Sequence, residues 1–113
     1  MTIDEITSIV DGRSVTSISA SDEIRYAFSS DLMSDVLTVL EDGVLLITGL
    51  VNIQTVRTAS MADISTVLLV RGKTATSEMI DLATEHGIVL LETAYSMFRA
   101  SGVLYDAGLK PLF

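Results

Sequence analysis

Cysteine is absent from the chain. That excludes disulfides, thiolate metal sites and thiol nucleophiles together. Histidine occurs once, as His86, so a mechanism built on two imidazoles is excluded as well. Basic residues are scarce: 7 Lys and Arg against 15 Asp and Glu give a net charge of −8. A chain so charged is repelled by nucleic-acid backbone and by anionic membrane surface. It also lacks the basic stripe and stacking aromatics of a nucleic-acid binder. Apolar runs such as Val44-Leu45-Leu46-Ile47 are short, whereas a membrane span needs about 20 residues. The opening Met1-Thr2-Ile3-Asp4-Glu5 is acidic and does not read as a secretory signal. Lys110-Pro111-Leu112-Phe113 matches no lipidation signal. The expectation is a cytoplasmic protein with no nucleic-acid or membrane partner.

What remains is ample for a folded core. Of 113 residues, 49% are hydrophobic and 19% charged. That balance is the opposite of a disordered chain's, and the length suits one domain. Thr2 and Glu5 have capping-box spacing ahead of Ile3, Ile6, Ile9 and Val10, which predicts a short helix. Residues 14–19 can hold a short strand, and Ser19-Ala20-Ser21-Asp22 reads as a turn. Residues 24–28 alternate as a half-buried strand. A helix over 32–40 follows, capped by Ser30 or Asp31.

The second half repeats one unit. Continuous apolar runs at 44–48, 66–70 and 88–91 alternate with helical patterns at 53–61, 77–86 and 93–105. Gly87 stands where a left-handed helix cap belongs. Strands that are apolar on both faces belong to a parallel sheet covered on both sides. The expected fold class is therefore α/β: a single domain with a mainly parallel sheet, helices on both faces and right-handed crossovers.

Several segments in order carry a family resemblance. They are Asp31-Leu32-Met33-Ser34-Asp35-Val36-Leu37, Val44 to Gly49, Val67 to Gly72, Glu85-His86-Gly87-Ile88 to Thr93, and Tyr95-Ser96-Met97-Phe98 followed by Ala100. Over most of residues 2–110 the series resembles the DRTGG-domain family, whose fold is similar to the N-terminal domain of HPr kinase/phosphorylase. The resemblance implies residues 1–113 as a single DRTGG-like domain. It further implies a non-catalytic regulatory or interaction module, commonly dimeric, with a protein partner in a signalling or metabolic complex. The family's namesake Asp-Arg-Thr-Gly-Gly string is absent, and the turn after the first apolar strand reads Gly49-Leu50-Val51-Asn52. No functional residue is therefore carried over.

The residues themselves offer little chemistry. Arg71-Gly72-Lys73-Thr74 ends like a phosphate-binding loop, but a Walker motif needs glycine where Val67 stands inside a strand. Nucleotide hydrolysis is not expected. A weaker site survives at the carboxyl ends of the parallel strands, where crevices form and helix N-termini point. Its candidate ligand-binding residues are Gly49, Asn52, Arg71, Gly72, Lys73, Thr74 and Thr76. They would hold a small anion, beside the plainer reading of a solvated loop with Thr76 as a helix cap. Thr93, Tyr95 and Ser96 fall at the same edge. His86 suits a helix C-terminus, where the dipole favours it. Asp31 and Asp35 share a helix face, and a cap with a first-turn acid accounts for them without a metal. No cofactor is implied.

Two functions follow from different classes. One is a regulatory, protein-interaction module sensing a small anionic ligand. The other is a small enzyme using the strand-end crevice on an anionic substrate. Self-association as a homodimer is also expected. The mean hydropathy is +0.52, and apolar Leu50 and Val51 sit in a turn, with Leu109, Leu112 and Phe113 following the last helix.

Overall fold

The three apolar runs become adjacent strands, and the rest of the chain is arranged about them. The computed structural model describes residues 1–18 and 23–113. In chain order the elements are α1 (Ile3–Ile9), β1 (Arg13–Ser14), β2 (Tyr26–Ser29), α2 (Met33–Val36), β3 (Val44–Thr48), α3 (Ile53–Met61), β4 (Thr66–Leu69), α4 (Ser77–Glu85), β5 (Val89–Glu92), α5 (Met97–Asp106) and β6 (Lys110–Pro111). The strands form one sheet in the order β1-β5-β4-β3-β2-β6. Every neighbouring pair is parallel except β1 with β5. The fold is α/β with a mainly parallel sheet. The turn expected over 19–22 lies outside the described residues.

Every residue of β3, β4 and β5 is buried. Side chains alternate between two cores, as the pleat requires. Leu45, Ile47, Leu68, Val89 and Leu91 pack with Ile3 and Ile6 of α1 and with Ala100 and Leu104 of α5. Val44, Leu46, Val67, Leu69 and Leu90 pack with Val36 of α2, Val56 and Ala59 of α3, and Met79 and Ala83 of α4. Helices on both sides are why these strands lack polar alternation.

The winding explains which helix takes which face. From β2 to β5 the chain steps one way across the sheet, with α2, α3 and α4 on one face. From β5 it returns to the far edge as β6, and α5 covers the other face. A reversed step with a reversed face keeps one crossover hand, as right-handed units demand.

Local signals set most boundaries. The capping box of α1 is present, Thr2 Oγ1 accepting from Glu5 N and Glu5 Oε1 from Thr2 N. Gly87 follows α4 with φ +70°. The last helix starts later than expected, at Met97, because Ser96 Oγ caps it. Thr93 is used elsewhere: its hydroxyl donates to Val10 O at 2.6 Å and accepts from Tyr95 N.

One expectation is corrected. The helix over 32–40 shrinks to Met33–Val36, and Asp31 does not cap it. The Asp31 carboxylate instead accepts from Thr48 Oγ1 at 2.9 Å and Gly49 N at 2.7 Å, at the end of β3. With that acid taken and Leu32 as the cap residue, the helix has no side-chain cap. The apolar turn is also less exposed than its composition suggests. Leu50 and Val51 are half-buried, and Val51 packs on the α2–α4 core.

Gly12 brings the α1–β1 turn against β5. A Cβ there would lie 2.6 Å from the Glu92 carbonyl oxygen and 3.2 Å from Val10 Cγ2. Both the backbone carbonyl and the buried valine resist displacement. Gly12→Ala is expected to lower stability by about 1–3 kcal/mol, the usual cost of overpacking. Urea unfolding measures it, and an unchanged midpoint would contradict the close approach.

Candidate functional site

Beyond the end of β4 the chain turns to α4 on one face; beyond β5 it turns to α5 on the other. Two parallel neighbours whose exits diverge leave a crevice between their carboxyl ends. A cleft of about 240 Å³ lies there. Asp11, Gly12 and Arg13 line it from the α1–β1 turn, Gly72 and Lys73 from the β4–α4 loop, and Glu92, Thr93 and Ala94 from the end of β5.

Glu92 holds this arrangement together. It is buried, with 4% exposure. A carboxylate out of water is costly unless paired and hydrogen-bonded. Here Oε1 accepts from Arg13 Nη2 at 2.7 Å, and Oε2 accepts from Ala75 N at 2.6 Å. One acid thus binds two segments that are remote in sequence. Arg13 reaches it because β1 pairs antiparallel with β5, setting Arg13 opposite Glu92. The Arg13 side chain is 68% exposed, so its charge keeps much of its hydration.

The loop after β4 is tightly shaped. Arg71 and Gly72 have φ of +61° and +71°. Lys73 N donates to Val70 O at 3.3 Å, which closes a turn of type I′. Glycine adopts that backbone freely; arginine does so at a cost of roughly 1–2 kcal/mol. Arg71 N donates to Tyr95 O at 2.7 Å and Gly72 N to Thr93 O at 2.9 Å. The turn is thereby pinned against the segment leaving β5, and Arg71 and Lys73 stand exposed on its rim. Among the described residues neither makes an ion pair.

The expected ligand-binding residues divide. Gly72 and Lys73 line the cleft, and Arg71 is adjacent. Thr74 is exposed in the same loop. Thr76 caps α4 by accepting from Met79 N at 3.2 Å. Gly49 and Asn52 do not line the cleft: Gly49 donates to Asp31, and Asn52 caps α3 through Thr55 N. Of the backbone amides leading into α4, that of Ala75 is taken by Glu92. His86 caps the other end of α4, away from the strand ends where the cleft opens.

Sequence reasoning missed Asp11, Arg13 and Glu92. The available signal was an acid directly after the apolar run ending at Leu91, at a strand end beside a turn. Its partner is remote in sequence, and nothing local points to it.

No protein-family model matches this chain, and no curated protein does. Among solved structures it is similar to the CBS and DRTGG domains of the regulatory region of Clostridium perfringens pyrophosphatase, complexed with the activator diadenosine tetraphosphate. The TM-score is 0.71 at 16% identity, over 91% of this chain and 45% of that one. The two share a CBS/DRTGG-like fold, and this chain spans less than half of its neighbour's length.

The Glu92 tie makes a specific energetic claim. Arg13→Ala leaves a buried carboxylate with one donor, a larger loss than an exposed ion pair would give. We expect a cost of about 2–3 kcal/mol. Adding Glu92→Gln removes the stranded charge and should restore part of the loss in chemical denaturation. A double variant no more stable than Arg13→Ala would show that the pair is not coupled.

Proposed function

We propose that this chain is a non-catalytic regulatory module that senses a small phosphate-bearing anion at the cleft between β4 and β5. The observation that carries the reading is that Arg13 and Lys73 line one crevice and Arg71 stands beside it. These are three of seven basic residues in a chain of net charge −8. Asp11 and Glu92 share the lining, so the three cations leave one positive charge in excess there, which against a background of −8 favours an anion at that point. Lys73 and Arg71 are free of ion pairs among the described residues, so their charge is available.

The enzyme alternative is less well supported. A general base must lie within reach of the proton it takes, and the carboxylates on the lining are Asp11 and Glu92. Glu92 is buried and held by Arg13 and Ala75 as a tie between loops, so the enzyme reading would rest on Asp11. The similar structure is a regulatory region with a nucleotide activator bound, and that agrees with sensing. In this reading residues 1–113 work as one domain. Occupation of the cleft stiffens the 71–76 loop and the start of α4, and a protein partner reads the change.

Amide NMR with inorganic pyrophosphate and with diadenosine tetraphosphate tests this. Shifts are expected at Gly72, Lys73 and Ala75, with Lys73→Ala weakening affinity roughly tenfold. Binding should also fall as salt rises. A ligand whose affinity ignores both Lys73→Ala and Arg71→Ala would overturn the site. Turnover of either compound, lost in Lys73→Ala, would establish the enzyme reading instead.

A further inference from the structure

Helix α5 sends Ala100 and Leu104 into the core. Its outer face keeps Phe98 90% exposed and Tyr105 68% exposed. The two aromatics are two turns apart, roughly 10 Å along the axis, and share a face. Between them lie Ser101 and Gly102. A Cβ at Gly102 would meet nothing within 4 Å. No contact within the protomer therefore calls for glycine, which is unfavourable inside a helix. Beside Tyr105, an apolar groove of about 320 Å³ opens between α5 and the β2–β6 edge, with Phe28, Leu112 and Phe113 among its walls. Phe113 stacks edge-on against Phe28 at 5.5 Å and is itself 79% exposed.

We propose that this face of α5 is a two-fold contact between two copies of the chain. The Phe98 ring projects at one end of this face, and the groove runs from Ser101 to Tyr105 at the other, with exposed Gly102 beside it. A two-fold axis passing near Ser101 and Gly102 lays the α5 helices antiparallel. It seats each Phe98 against the Tyr105 and groove of the other copy. Such an isologous contact satisfies both partners with one patch. Gly102 then has a reason: it lets the two helix backbones approach at the crossing.

Charge and area agree with that occupant. Between Phe98 and Tyr105 the helix carries no acid; Asp106 comes only at its end. The repulsion implied by a net charge of −8 is thereby kept to the rim, where charge belongs in an interface. Three largely exposed aromatics at roughly 150–250 Å² each offer on the order of 450 Å² per copy. That is over half of the ~800 Å² per partner in a stable interface, and the groove walls supply more. Sheet extension is the poorer route, since the edge strand β6 has two residues and one is Pro111. The contact uses neither Lys73 nor Glu92, so it stands or falls apart from ligand binding at the cleft.

Sedimentation of the full chain should give twice the 12.1 kDa protomer mass at micromolar concentration. Phe98→Glu should return it to 12.1 kDa with an unchanged far-UV spectrum, because Phe98 packs on nothing it needs for folding. The chain has no cysteine, so Gly102→Cys introduces a single thiol that should cross-link through the axis on mild oxidation. Glu85→Cys, exposed on α4, serves as the control and should stay monomeric on the same gel. A single 12.1 kDa species at high micromolar concentration would overturn the proposal. So would a dimer that survives Phe98→Glu while Gly102→Cys fails to cross-link.

Discussion

A buried carboxylate at the end of β5 sets the shape of the strand-end edge. Glu92 is taken out of water, and the Arg13 guanidinium and the Ala75 amide compensate it. Neither partner comes from a long element. Arg13 lies in a strand of two residues, and Ala75 lies in the loop before α4. Segments of this kind are the first to open in a folded protein, because few contacts hold them. Their shared acid, the Thr93 hydroxyl on Val10 O, and the close approach at Gly12 dock them on the rigid sheet. The cleft is therefore a meeting of two loops on one strand end, and its cations depend on that docking for their position.

Beneath this edge the fold is governed by coverage of the sheet. Three helices cover one face and two the other, with α5 carried across by the long return from β5 to β6. Two helices cannot cover the second face as fully as three cover the first. The shortfall appears beside α5 at the β2–β6 edge, as the apolar groove lined by Tyr105 and Phe113. The two functional surfaces thus arise from different constraints. One is set by the reversal of winding between β4 and β5, the other by incomplete cover on the face that α5 crosses.

The elements with strong local signals were legible in the amino-acid sequence. The run 44–48 and the helix 53–61 have the observed bounds, and the runs at 66–70 and 88–91 are displaced by at most one residue. Buried parallel strands and side-chain caps such as Asn52 and Thr76 write themselves into a few adjacent residues. The ends of α2 and α5 were not legible, because Asp31 looked like a local cap and Thr93 like the first residue of the last helix, while their oxygens serve remote partners, Gly49 and Val10. The candidate site was half legible. Arg71, Gly72 and Lys73 could be placed at a strand end, but the Arg13–Glu92 pair depends on an antiparallel edge strand set by distant pairing. Leu50 and Val51 drew attention as an apolar turn, whereas the largely exposed apolar side chains include Phe98 and Tyr105, which helical periodicity had assigned to an ordinary last helix.

Membrane crossing has no support in the helices, since none among the described residues is long and apolar enough. The functional account rests instead on a docked loop whose Lys73 lines a cleft with Arg71 beside it, so the docking itself is the quantity to measure. Native-state hydrogen exchange at the Ala75 amide reports it directly, because that N–H is held by Glu92 alone at 2.6 Å. The account predicts that Ala75 exchanges slowly, in company with the amides of β5, while Thr74 beside it exchanges as an exposed loop. Exchange of Ala75 as fast as that of Thr74 would contradict it, leaving Glu92 without its tie and the cleft without a fixed wall.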